Sequence, residues 1–171
     1  VSEPTFFNYF DSKLDMLVYF IQLWSIEMNA LARNSELKCT SYVTTIKEIF
    51  KQTSQYITKH PQLMLEIIAF QAQGLKPKPH TITVAEKWLF FPDIEEVDTI
   101  EGMGLESILP PHITKAIQTG ELDRSTDIEF VFLNLSSLFF GTALLILKKS
   151  PETYPSYLEA QIDQLFKGLS C

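Results

Sequence analysis

Hydrophobic residues recur along this chain at spacings of three, four and seven, the pattern that lines one side of an α-helix. Leu17, Phe20, Ile21, Trp24, Met28 and Leu31 follow it without a break. Ser12 stands three residues before Asp15 in the manner of a capping box, so a long amphipathic helix is predicted over Lys13–Asn34. After a polar break at Glu36–Ser41, the residues Val43, Ile46, Ile49, Phe50, Thr53 and Ile57 resume the spacing up to His60-Pro61. There the proline ends one helix and suits the first position of the next. Leu63, Met64, Leu65, Ile67, Ile68 and Phe70 leave that next helix few polar positions before Gly74, which predicts a central place in the fold.

Helix breakers are denser in the second half. Lys76–His80 (KPKPH) reads as a loop, Thr83–Phe91 as a short helix closed by Pro92, and Asp93–Gly104 as an irregular acidic stretch. Pro110-Pro111 introduces a short helix, Pro111–Gln118, stopped by Gly120. Ser125 or Thr126 caps the following helix. Asp127 and Glu129 fall in its first turn and Lys148 and Lys149 at its far end, the signs that a helix dipole favours. Pro151 and Pro155 separate it from a last amphipathic helix carrying Tyr157, Leu158, Ile162, Leu165, Phe166 and Leu169. No run alternates as a strand hairpin does and no period repeats, so the predicted class is all-α.

Composition refines this picture at a few points. With 171 residues, 46% of them hydrophobic and 20% charged, the chain can bury a core without disulfides or metals. Fourteen Lys and Arg against 21 Asp and Glu give a net charge of -7, so any DNA contact must be local. Cys39 and Cys171 lack ligand or redox spacing, and no secretory pattern opens the chain. A reducing, cytoplasmic location is therefore expected. Phe130–Leu147 carries no charge and approaches the length of a membrane span, but Asn134, Ser136, Ser137 and Thr142 interrupt it. The expectation is a helix buried on nearly all sides, and no membrane partner.

Val1–Leu17, VSEPTFFNYFDSKLDML, resembles the end of the DNA-binding domain in regulators of the tetracycline-repressor (TetR) family. Val1, Ser2, Thr5, Phe6, Phe7, Tyr9, Phe10, Lys13 and Leu17 match the family pattern in order. In a helix, Phe6 and Phe10 lie one turn apart for packing, while Ser2, Thr5, Asn8 and Tyr9 present hydroxyl or amide groups suited to a major groove. The resemblance implies that Thr5, Tyr9 and Lys13 touch phosphates, with Ser2, Glu3, Pro4, Phe7 and Asn8 nearer the bases. Phe7 replaces the family's usual Tyr, and Leu14 stands where an acidic residue is common.

Residues 1–13 are thus expected to be the remnant of a helix-turn-helix, cut before its supporting helices. Operator DNA would be bound only when those helices are present. The resemblance further implies a ligand-responsive transcription regulator, a repressor by family default. Its residues 14–171 would form a TetR-like helical sensor and dimerisation domain. His60-Pro61 opening a helix, Gly120–Glu129 (GELDRSTDIE) and Tyr157–Leu169 (YLEAQIDQLFKGL) are similar to the family in the same order.

In such proteins the last two long helices pair with a second copy, which here implies a homodimer through Leu133, Ser137, Phe140, Gly141, Leu144, Leu158, Ile162, Leu165 and Phe166. Ser137 and Gly141, four apart, suit close helix approach. Phe20, Trp24, Phe50, Met64, Phe70 and Trp88 are candidates for lining a pocket for a small apolar effector. His60, His80 and His112 neighbour proline-bearing loops without metal-ligand spacing and read as surface residues, so neither metal nor cofactor is expected. There is no GxSxG or phosphate-cradling loop, and Asp93, Glu95, Glu96 and Asp98 lie in one solvated stretch, so no enzyme is expected. The competing expectation is a helical scaffold domain for a lipid-like ligand or protein partner, without DNA binding.

Overall fold

The computed structural model describes residues 10, 12–38, 41–74 and 81–169, and among these it is all-helical. The elements are α1 (Lys13–Leu37), α2 (Tyr42–Lys59), α3 (Pro61–Ala72), α4 (Val84–Phe90), α5 (Leu105–Gln118), α6 (Ile128–Ile146) and α7 (Tyr154–Leu169). Short 3-10 turns lie at Val97–Thr99 and Pro151–Thr153. The DNA-reading candidates Ser2, Glu3, Pro4, Thr5, Phe7, Asn8 and Tyr9, the KPKPH loop and both cysteines lie outside the described residues.

Local chemistry sets most of the helix starts. Ser12 Oγ accepts from the Asp15 N–H at 3.2 Å and opens α1, which runs three residues past its expected end, Asn34. The α2 start is capped twice. Ser41 Oγ accepts from Thr44 N–H at 3.0 Å, and Glu121, far along the chain, accepts from the N–H groups of Tyr42 and Val43 at 2.9 and 3.0 Å. Burial pushes the Glu121 pKa up, but these backbone bonds, with Ser41 and Thr119, outweigh it and hold the carboxyl below its ordinary range. Pro61 opens α3, and a full capping box between Thr83 and Glu86 opens α4.

Two expected boundaries move. The cap of α6 is Asp127, whose carboxylate accepts from the N–H groups of Glu129 and Phe130, while Asp123 binds Ser125 in the turn before it. Helix α5 begins at Leu105, so Pro110 and Pro111 sit inside it rather than at its start. The two prolines forgo bonds to the Glu106 and Ser107 carbonyls, near the helix start. The completely buried Ile108, Leu109 and Ile113 supply the packing that holds the helix together regardless.

Four of the helices, α2, α5, α6 and α7, surround the main core, which includes Ile46, Phe50, Leu109, Ile113, Leu135, Phe139, Tyr154, Leu158 and Phe166. Tyr154 is buried outright; burial pushes its pKa up, and its neutral hydroxyl donates to the Phe139 carbonyl at 3.1 Å. The long α1 joins this bundle through two separate seams. Met28 and Ala32 pack on Ile49 of α2 and Ile108 of α5, whereas Ile26 and Ala30 hold Val97 and Ile100 of the segment before α5. The acidic Asp93, Glu95, Glu96 and Asp98 are exposed, but Val97 and Ile100 between and after them are buried, so that segment is anchored rather than patternless.

A candidate ligand cavity beside an uncovered helical face

The N-terminal half of α1 does not seal against the bundle. Between it and helices α2, α3 and α6, with the 102–106 segment across one end, lies a partly enclosed cavity of about 760 Å³. That is within the range that houses small organic ligands. Helix α3 was expected at the centre of the fold. It is instead a wall, with Leu63, Met64, Ile67, Phe70 and Gln71 at the cavity; apart from Met64 and Phe70 its apolar residues are only half-buried or exposed, because the cavity lies where a packing partner would.

Of the six pocket candidates, Phe20, Trp24, Met64 and Phe70 line this cavity. Phe50 does not: it is in the main core, its ring 5.5 Å from that of Phe139. Trp88 does not either, since α4 turns it outward at 44% exposure. The sequence pattern missed Tyr56, His60, Phe132 and Phe139, which also line the cavity. Tyr56 stacks on Phe20 with ring centres 6.0 Å apart and meets His60 at 4.7 Å, forming an aromatic wall. On α6, Phe132, Ser136, Phe139 and Phe140 fall on one side at helical spacing, a signal masked because every side of that helix is apolar.

Polar groups in the cavity fall into two kinds. Trp24 Nε1–H donates to Thr53 Oγ1 at 3.2 Å, and Thr53 donates to the Ile49 carbonyl at 2.7 Å, so these are spoken for. Gln22 and Ser136 differ: Gln22 Oε1 and Ser136 Oγ are buried with no hydrogen-bond partner. Among the described lining residues there is no lysine or arginine, and Glu106, exposed, is the sole carboxylate. Gly102 brings the crossing segment directly onto α1. A Cβ there would lie 2.3 Å from the Gln22 carbonyl oxygen and 2.5 Å from Ser25 Oγ, so only glycine fits this approach.

The histidines separate. His60 is exposed at the cavity, while His112 is buried, contrary to its expected surface position. His112 Nδ1–H donates to the Ile108 carbonyl at 2.7 Å; Nε2 lies 3.3 Å from Glu36, in poor hydrogen-bond geometry, and Lys115 takes that carboxylate at 2.8 Å. His80 lies outside the described residues, among which no group of three His, Cys, Asp or Glu could hold a metal ion.

The expected interface residues also divide. On α6, Leu133 and Leu144 are each 53% exposed, Ser137 is exposed and Gly141 half-buried. Phe140 faces the cavity instead. On α7, Leu158, Ile162 and Phe166 are buried in the chain's own core and Leu165 packs against it. The apolar stripe of α7 is thus its inward side, and its outward uncharged side is Tyr157, Ala160, Gln161, Gln164 and Gly168. The Thr142–Gln161 hydrogen bond joins the two helices between these outward sides.

Three sides of α6 therefore meet three surroundings: core at Val131 and Leu135, cavity at Phe132 and Ser136, and, among the described residues, a side left more than half exposed at Phe130, Leu133, Leu144 and Leu145. Length and composition alone would let this helix cross a membrane. Its packing on α5 and α7 accounts for one of the three sides and the cavity for a second. Lys13, the one described DNA-contact candidate, pairs with Glu66 of α3 at 3.0 Å and stays largely exposed. No family model matches the chain, and no curated protein or solved structure matches it either.

Proposed function

We propose that this chain is the effector-sensing, dimer-forming body of a one-component transcription regulator of the tetracycline-repressor type. Residues 1–13 would be the end of its DNA-reading unit. The observation that carries this reading is the 760 Å³ cavity, one wall of which is the N-terminal half of α1 itself. That helix begins inside the resembling segment, at Lys13, so a ligand touching Val18, Phe20, Gln22 or Trp24 touches the element continuous with the DNA-reading candidates. The Lys13–Glu66 pair ties the same end of α1 to α3, a second cavity wall.

A ligand that prefers one placement of α1 and α3 shifts the equilibrium between two states by its difference in affinity for them, and with it the separation of two DNA-reading helices. Two such helices require two copies. The uncovered sides of α6 and α7 suit a second copy of this chain, because an uncharged surface is self-complementary about a two-fold axis despite a net charge of -7. Mid-helix Gly141 favours the same reading. A Cβ there would meet nothing within 4 Å among the described residues, so packing within one copy gives no reason for glycine there.

The test is selection of DNA fragments by the complete gene product. Sequence-selective binding that weakens steeply with salt and is relieved by a ligand occupying the cavity is expected. Binding that is indifferent to sequence, or absent across ionic strengths, would overturn the regulator reading.

A further inference from the structure

Resting on the reading of the cavity as a ligand site, we infer that its ligand is an uncharged aromatic molecule bearing a hydroxyl or N–H donor, held by Gln22 of α1 and Ser136 of α6. Aromatic rings from α1, α2, α3 and α6 line the cavity, which favours a flat, polarisable partner over a flexible chain. An apolar filling alone would leave Gln22 Oε1 and Ser136 Oγ buried without partners, a state that costs far more than an ordinary hydrogen bond returns. Gln22 is placed with its Oε1, an acceptor, unpartnered, so a donor on the ligand satisfies it. Ser136 can accept or donate, and completes the recognition of the same kind of group.

Charge decides the rest. A carboxylate or phosphate entering this site would leave water for a lining whose one basic side chain among the described residues is His60, itself exposed to water, and whose one carboxylate, Glu106, would repel it. The discriminating feature is therefore a neutral donor on an aromatic frame, and acidic relatives of the same size are rejected.

The experiment uses N-phenyl-1-naphthylamine, a neutral aromatic amine whose emission rises in apolar sites, followed by energy transfer from Trp24 in a Trp88→Phe background. 2-Naphthol, naphthalene and 2-naphthoate then compete for it. The expected order is 2-naphthol first, naphthalene about tenfold weaker, as loss of one buried hydrogen bond implies, and 2-naphthoate weaker still. In the Gln22→Leu, Ser136→Ala double variant, naphthol and naphthalene should compete equally while the reporter still binds. If the reporter never binds, the cavity is not a ligand site and the reading beneath the inference falls. If it binds but the three competitors are equivalent in the unsubstituted cavity, the site stands and the inference is overturned. The competitor series needs neither Gln22→Leu nor Ser136→Ala, so poor folding of that double variant leaves the outcome decidable.

Discussion

Glu121 illustrates how much one side chain can settle in this fold. It leaves the turn after α5 and supplies its carboxylate to the first two N–H groups of α2, so the orphan donors of one helix are satisfied from a distant part of the chain. Its folded pKa lies below the ordinary value of 4.5, which fixes the sign of its pH dependence. The stabilisation is complete above the unfolded value and is lost as pH falls through the depressed one. Glu121→Gln keeps an acceptor but loses the charge and one of the two bonds. It should cost about 1 kcal/mol at pH 7, read from urea midpoints, with the gap to the unsubstituted chain narrowing by pH 3. Glu66 and Asp123 are also held below their ordinary values, so the difference between the two chains, and not either curve alone, isolates Glu121. A gap that stays constant from pH 7 to pH 3 would show that charge at the cap is not the cause.

At the scale of the element, α4 is the weakest helix, because seven residues cannot sustain a helix by themselves. Three attachments hold it. Thr83 and Glu86 close the capping box; Tyr19 of α1 donates to Glu86 Oε1 at 3.0 Å; and the buried Lys87 ammonium donates to the carbonyls of Asp98 and Ile100 at 3.1 and 2.7 Å. Partial burial, then the hydrogen bond to Glu86 and its charge, push the Tyr19 hydroxyl up to about 12, so it stays a donor at physiological pH. Thr83→Ala should raise amide exchange across α4 about fivefold, the counterpart of about 1 kcal/mol, and leave the global melting temperature in place. Global destabilisation instead would mean that α4 unfolds only with the bundle. The start of this helix was legible because Thr83 and Glu86 carry the cap in their own chemistry, as Ser12 does for α1 and Pro61 for α3. The start of α5 was not, since Pro110-Pro111 reads as a break and only the tertiary burial of Ile108, Leu109 and Ile113 overrides it. Periodicity reports that a side is apolar, not what faces it. For that reason aromatic content suggested Phe50 for the pocket and the resemblance suggested Phe140 for an interface, while the spacing could not separate the three apolar sides of α6.

At the scale of the whole molecule, the sides of α6 and α7 that the described residues leave bare call for an explanation outside the single chain. Phe130, Leu133, Leu144, Leu145 and Tyr157 are each more than half exposed. A stable pair of copies needs roughly 800 Å² from each, which an uncharged strip along two long helices can provide. Two kinds of variant separate pairing from folding. Leu133→Glu with Leu144→Glu places charge at two positions that are more than half exposed. It should give a particle of single-chain mass by light scattering, with helical circular dichroism intact. Gly141→Leu is the sharper test. Within one copy the new side chain has open space and removes a helix-weakening glycine, so the isolated fold should hold or gain by about 0.8 kcal/mol. Against a second copy packed closely at Ser137 and Gly141, the same side chain is a wedge. A well-folded monomer is the expected result. If Gly141→Leu and the double glutamate variant both scatter as dimers, the two copies meet elsewhere, and the coupling of cavity to partner through α6 fails with that interface.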